Sequence, residues 1–174
     1  MSTATRTTRR SGWSTLARVD IPANVETCVC TECEGSGCHV DLAGLARDVD
    51  VLDMDCVKRV NRTTDRICDC AILWRSRRLV AATELKGGQD ISIQRLVEQI
   101  QGGCNAISDL LNGQTVEDFY PIRMYSGKRD PRRALQGKRV MFRGQPRRVM
   151  VAPCGSRLST IVGESIRKRS PKRR

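Results

Sequence analysis

Apolar and polar residues along the chain follow two periods, and the switches between them outline a fold. Over 48–57, Val49 and Val51 alternate with Asp48 and Asp50, and Asp53 and Asp55 follow. Period 2 predicts a strand with one buried face. Residues 67–74 and 79–86 are apolar at most positions, which predicts two strands in a sheet covered on both faces. Arg75-Ser76-Arg77-Arg78 between them predicts a turn, and Gly87-Gly88 ends the second strand. Over 90–111, apolar residues fall at 93, 96, 97, 100, 104, 107 and 111, which is helical spacing. Asp90 suits the N-cap and Gly113 lies just past the end. Gly102-Gly103 predicts a bend or a split in that helix. Residues 40–47 predict a short helix capped by Asp41, and 116–125 a strand. Residues 140–143 and 148–151 predict a hairpin around Gly144-Gln145. The expected order is short helix, three strands, helix, strand, C-terminal hairpin.

A chain of 174 residues supports one core. The expected domain spans 19–163, with a Cys-rich segment at 26–39, a core at about 40–125 and a basic hairpin at 126–158. Residues 1–18 and 164–174 read as disordered basic tails. No stretch approaches the roughly 18 apolar residues of a membrane span. Residues 1–18 lack the apolar run of a secretory signal. They are Arg-rich and acid-free like a mitochondrial transit peptide, but too short and without its amphipathic pattern. A cytoplasmic protein with no membrane partner is expected.

Charge is unevenly placed within the net +12. Residues 1–18 carry +4, residues 19–118 carry −7 and residues 119–174 carry +15. An acidic centre beside a basic third suits a cation site next to a surface that gathers polyanions. Arg129, Arg132, Arg133, Lys138, Arg139, Arg143, Arg147 and Arg148 are the expected contacts to a nucleic-acid backbone. A solvated basic face with no specific partner is the plainer alternative.

A two-residue turn at Ser76-Arg77 pairs residues whose numbers sum to 153. Asp69 then lies opposite Glu84, with Cβ atoms roughly 5 Å apart. Lys86 is two residues on and shares the face. Two carboxylates at that spacing can hold Mg²⁺ or Mn²⁺, and a neighbouring lysine can hold or deprotonate water and pair with phosphate.

Asp69, fourteen intervening residues and Glu84-Leu85-Lys86 in a strand-turn-strand resemble the PD-(D/E)XK nuclease superfamily. That group includes type II restriction endonucleases and archaeal Holliday-junction resolvases. The resemblance covers about 40–125, with Cys68 standing before Asp69 where that motif has proline. It implies an α/β fold: a restriction-endonuclease-like αβββαβ core with a mixed central sheet, a Cys-rich N-terminal loop and a C-terminal β-hairpin. It further implies Asp69 and Glu84 as ligands of Mg (or Mn) and Lys86 as the water-orienting residue. Gln99, and less directly Gln94, would face the site from the following helix. Glu26, Glu34 and Asp41 stay open as an added acid, and a homodimer is an option for such a fold.

Nine cysteines, with no secretory signal in view, favour reduced thiols. Cys28, Cys30, Cys33 and Cys38, followed by His39, offer a structural zinc site. Mobile or core thiols, an iron–sulfur cluster, and a Cys–His catalytic pair using His39 are the other readings. Cys68 and Cys70 flank Asp69 on the opposite face and read as core. The leading expectation is thus a Mg-dependent nuclease acting on nucleic acid, DNA first. Its competitors are a non-catalytic nucleic-acid-binding protein and a protein whose nuclease-like fold serves assembly.

Overall fold

Strands that are apolar on both faces must be covered on both, and the chain supplies two separate covers. The structure is a computed structural model describing residues 19–45, 47–87, 92–127 and 130–169, with the backbone alone for Gly87 and 164–169. A 3-10 turn, Ala23–Cys28, leads into β1 (Val29–Cys30), then a small hairpin of β2 (Glu34–Gly35) and β3 (Cys38–His39). β4 (Val49–Asp53) is followed by α1 (Met54–Asn61), β5 (Cys70–Trp74), β6 (Leu79–Gly87), α2 (Ile93–Leu110) and β7 (Asp118–Ser126). The short α3 (Arg132–Leu135), the β8 (Arg139–Phe142) and β9 (Gln145–Arg148) hairpin, β10 (Met150–Pro153) and α4 (Leu158–Arg169) complete it.

The central sheet is mixed and six-stranded, in the order β1-β4-β5-β6-β7-β10. β4, β5 and β6 run as an antiparallel meander. α2 then crosses over so that β7 lies parallel to β6, and β10 parallel to β7. Along β5 and β6, Ala71, Leu73, Val80 and Ala82 face α1, α2 and the β8–β9 hairpin. Cys70, Ile72, Trp74, Leu79, Ala81 and Leu85 face the Cys-rich hairpin and α4. Ile100 and Ile107 of α2 are fully buried, each contributing roughly 1.5–3 kcal/mol by leaving water.

The β5–β6 register follows the expected sum, from Trp74↔Leu79 to Cys70↔Thr83. The turn is four residues long, Arg75–Arg77 in 3-10 form closed by Arg78 at φ 47°, and not the expected two-residue turn. Shortening or lengthening a turn symmetrically leaves the pairing sum unchanged. The expected helix over 40–47 is absent among its described residues. The Asp41 carboxylate accepts from the Ala43 amide in a local turn, and Gly44 has φ +81°. The predicted strand over 48–57 stops at Asp53, whose side chain accepts from the Cys56 amide and caps α1. α2 is continuous through Gly102-Gly103, with Ser92 as its cap; Asp90 lies outside the described residues. The C-terminal hairpin turns at Arg143-Gly144, and 150–153 leave it to extend the main sheet as β10. α4 runs to Arg169, so a helix enters the segment expected to be a tail; residues 1–18 and 170–174 lie outside the description.

Nine reduced thiols were the expectation, and this is corrected. Cys28 is bonded to Cys56 and Cys38 to Cys154, with Cα–Cα separations of 5.4 Å and 5.1 Å. The first ties the N-terminal 3-10 turn to α1, the second ties β3 to the end of β10. Cys30, Cys33, Cys68, Cys70 and Cys104 are free. Among the described residues, no helix is long and apolar enough to cross a membrane.

Candidate active site

Three charged side chains meet where β6 emerges from the apolar body of the sheet. Glu84 lies on the α2 face by alternation with Val80 and Ala82, and its side chain is 0 % exposed. Lys86 Nζ lies 3.1 Å from Glu84 Oε1 and 3.7 Å from Asp69 Oδ1, so one ammonium bridges both carboxylates. Asp69 stands just before β5, and its Oδ2 accepts from the Leu85 amide at 2.6 Å. That bond fixes the carboxylate to the β6 backbone between Glu84 and Lys86. Glu84 Oε2 has no hydrogen-bond partner among the described residues.

Burial, with the Asp69 charge adding to it, pushes the Glu84 carboxyl up to about 7 against the pull of Lys86 and Arg123. Burial also raises Asp69, opposed by the Leu85 amide and Lys86. The charge of Asp55, in the first turn of α1, adds to that rise.

The segment that delivers Asp69 passes tightly over α2. A Cβ on Gly102 would collide with the Arg66 carbonyl, and one on Gly103 with the Cys68 sulfur. The two glycines therefore let 66–68 cross the helix at close range. Cys68 packs on the α2 side with Cys104, not on the face opposite Asp69, while Cys70 does face the other way. Burial holds the Cys68 thiol well above the ordinary range and the Cys104 thiol up to about 12, so both act as apolar packing.

Gln99 lies on α2 between Leu96 and Gly103, which pack against this face, and its Oε1 is buried without a hydrogen-bond partner among the described residues. No hydrogen bond joins it to the acids. Gln94 is exposed and donates to Glu98 at 2.9 Å, away from the site. Glu26 is exposed on the 3-10 turn, Glu34 is on β2 across the sheet, and Asp41 pairs with Arg157 at 3.1 Å. No hydrogen bond or ion pair among the described residues joins any of these three to Asp69, whereas the Asp55 charge acts on it.

Sequence reasoning missed Arg123. It is the parallel-register neighbour of Glu84 on β7 and only 6 % exposed. Burial pulls its pKa down, and Glu84 and Asp69 act to hold it up. One arginine inside the apolar run from Phe119 to Met124 was the available signal.

No family model, curated protein or solved structure matches the chain.

Zinc coordination by the four N-terminal cysteines is corrected by the same geometry. Cys28 and Cys38 are consumed by bonds to Cys56 and Cys154, which pull them to opposite faces of the sheet. Among the described residues, no group of three or more His, Cys, Asp or Glu side chains is placed to hold a metal ion. Cys33 is buried beside Cys70, and burial raises its thiol well above the ordinary range.

The basic residues divide by role. Arg132, Arg133, Lys138, Arg139 and Arg148 are exposed, and Arg129 lies outside the described residues. Arg143 donates to the Gln114 carbonyl at 2.7 Å and to the Leu111 carbonyl, so its guanidinium closes the C-terminal end of α2 instead of facing a ligand. Arg132, Arg147 and Arg148 line a cavity of about 680 Å³ along β10 and α4. Asp69, Glu84 and Lys86 do not line it, so this cavity and the charged cluster are separate places.

Proposed function

We propose that the chain is a metal-dependent phosphodiesterase of the PD-(D/E)XK kind, acting on nucleic acid and on DNA first. The observation that carries this reading is the buried Glu84 carboxylate and Asp69, joined through one lysine at the end of two adjacent strands. A buried carboxyl raised towards neutrality beside a second acid and a lysine is costly to the fold, and such costs collect at functional sites. The succession β4–β5–β6–α2–β7 supports a restriction-endonuclease-like core. That core's first helix has no counterpart among the described residues of 40–47, and α1 follows the first long strand instead.

The donors suit a hard cation. Two carboxylates, one with an unpartnered oxygen, offer the one or two protein ligands that Mg²⁺ takes while keeping most of its water. Asp69 and Glu84 would hold it, and it would supply positive charge to the phosphate and lower the pKa of water. Lys86 now pairs with both acids; with a cation sharing them, its ammonium would be freed to orient water. The Leu85 amide keeps Asp69 aligned throughout. Exposed Arg132, Arg133, Lys138, Arg139 and Arg148 supply sequence-independent attraction to the backbone, weakening as salt rises.

A second reading has its own observation: the cavity with three arginines stands apart from the acids. It supports a nucleic-acid-binding protein with no hydrolysis. Incubation of plasmid and single-stranded DNA with the purified chain and Mg²⁺ or Mn²⁺ separates the two. Cleavage abolished by EDTA supports the first, and EDTA-resistant binding without cleavage supports the second.

A further inference from the structure

Arg123 is the buried charge that the acid–lysine cluster leaves unexplained. Parallel pairing sets it directly beside Glu84, and in-register neighbours on adjacent strands, about 4.8 Å apart, point to one face. It is therefore on the Asp69–Glu84–Lys86 side of the sheet, 6 % exposed. Its Nε and Nη1 have no hydrogen-bond partner among the described residues. Lys86, not Arg123, holds the ion-pair contacts to both carboxylates. Buried donors left unmade are rare in folded proteins, and a guanidinium cannot shed its charge at neutral pH.

We propose that Arg123 is a phosphate subsite of this cluster, its free N–H groups receiving non-bridging oxygens of a phosphodiester. This rests on the nuclease reading for its substrate class. Charge supports it. With both acids ionised, Asp69 and Glu84 balance Lys86 and Arg123, so the cluster carries no net negative charge to repel a phosphate, and the unmade Arg123 donors supply the attraction. A divalent cation on the acids makes the cluster net positive, and Arg123 is the preformed planar fork that matches phosphate. Removing the Glu84 charge has the same sign of effect without any metal.

The test is calorimetric titration of the full chain with inorganic phosphate, without metal, at about 0.15 M salt to suppress surface binding. Wild type is compared with Arg123→Gln, Arg123→Lys and Glu84→Gln, and the folding of each is checked by circular dichroism. The proposal expects saturable binding in the wild type, weakened roughly 10–100-fold in Arg123→Gln. Arg123→Lys keeps the charge but loses the fork, and binds more weakly than wild type; Glu84→Gln binds more tightly. No saturable binding by the wild type overturns it. So does wild-type affinity in Arg123→Gln or, if that variant does not fold, in Arg123→Lys. Arg123-dependent phosphate binding without DNA cleavage keeps the subsite and removes the nuclease reading. Cleavage with Arg123-independent phosphate binding does the reverse.

Discussion

Gly103 of α2 lies directly under Cys68, so the helix backbone and not a side chain sets where the next residue, Asp69, emerges. Gly102, the residue before it on α2, does the same for the Arg66 carbonyl. Alanine is normally worth about 1 kcal/mol over glycine inside a helix. Here the sign reverses. Gly103→Ala is expected to lower stability by roughly 1–3 kcal/mol through overpacking, read as a denaturation midpoint. Cys68→Ala on top of it restores part of the loss, because the obstacle is a side chain. No side-chain change rescues Gly102→Ala, because there the obstacle is a backbone carbonyl.

Glu84 gives the protein a defined pH response. Its carboxyl is raised in the fold from about 4.5 to about 7, so the native state holds this proton more tightly than the unfolded chain. Its contribution to stability is full below about pH 4.5, falls as pH rises to about 7, and is flat above. Glu84→Gln removes that slope and stabilises the chain at pH 8 by an amount on the order of 2–3 kcal/mol. On the proposed reading, Mg²⁺ held by Glu84 would displace the same proton, so its affinity would rise with pH up to about 7 and its binding would release a proton below that. Calorimetry in buffers of different ionisation heat reads that release; a pH-independent affinity between 5 and 8 contradicts the Glu84 assignment.

The thiol count is equally direct. Denatured without reductant, the chain should show five reactive thiols, and nine after reduction. The bonds close segments separated by 28 and 116 residues, worth about 3–5 kcal/mol each in the chain-entropy model. Reduction should lower the melting temperature, with the Cys38→Ser/Cys154→Ser double variant losing more than Cys28→Ser/Cys56→Ser.

Where the sequence pattern carried the reading, a physical period did the work. The turn centred on Ser76-Arg77 placed Asp69 beside Glu84, and the four-residue turn keeps that pairing because it has the same centre. The seven apolar positions of α2 left little choice of face. α1 was hidden because only Met54 and Val57 of its eight residues are buried, and its Asp53 cap also ends the preceding alternation. α4 was hidden because Leu158, Ile161 and Val162 precede a run of charge that dominates the pattern. Arg123 was hidden because its register neighbour, Glu84, lies 39 residues away and only a parallel crossover joins them. The disulfide pairs follow from tertiary approach, which cysteine spacing alone does not encode.

The decisive measurement is DNA cleavage by wild type, Lys86→Ala and Glu84→Gln under saturating Mg²⁺ or Mn²⁺, with folding verified for each. The account predicts cutting by wild type alone, with each variant slowed at least roughly 100-fold while keeping a cooperative unfolding transition. No cleavage by folded wild type, or equal cleavage by all three, contradicts it and leaves Asp69, Glu84 and Lys86 as a structural ion-pair cluster.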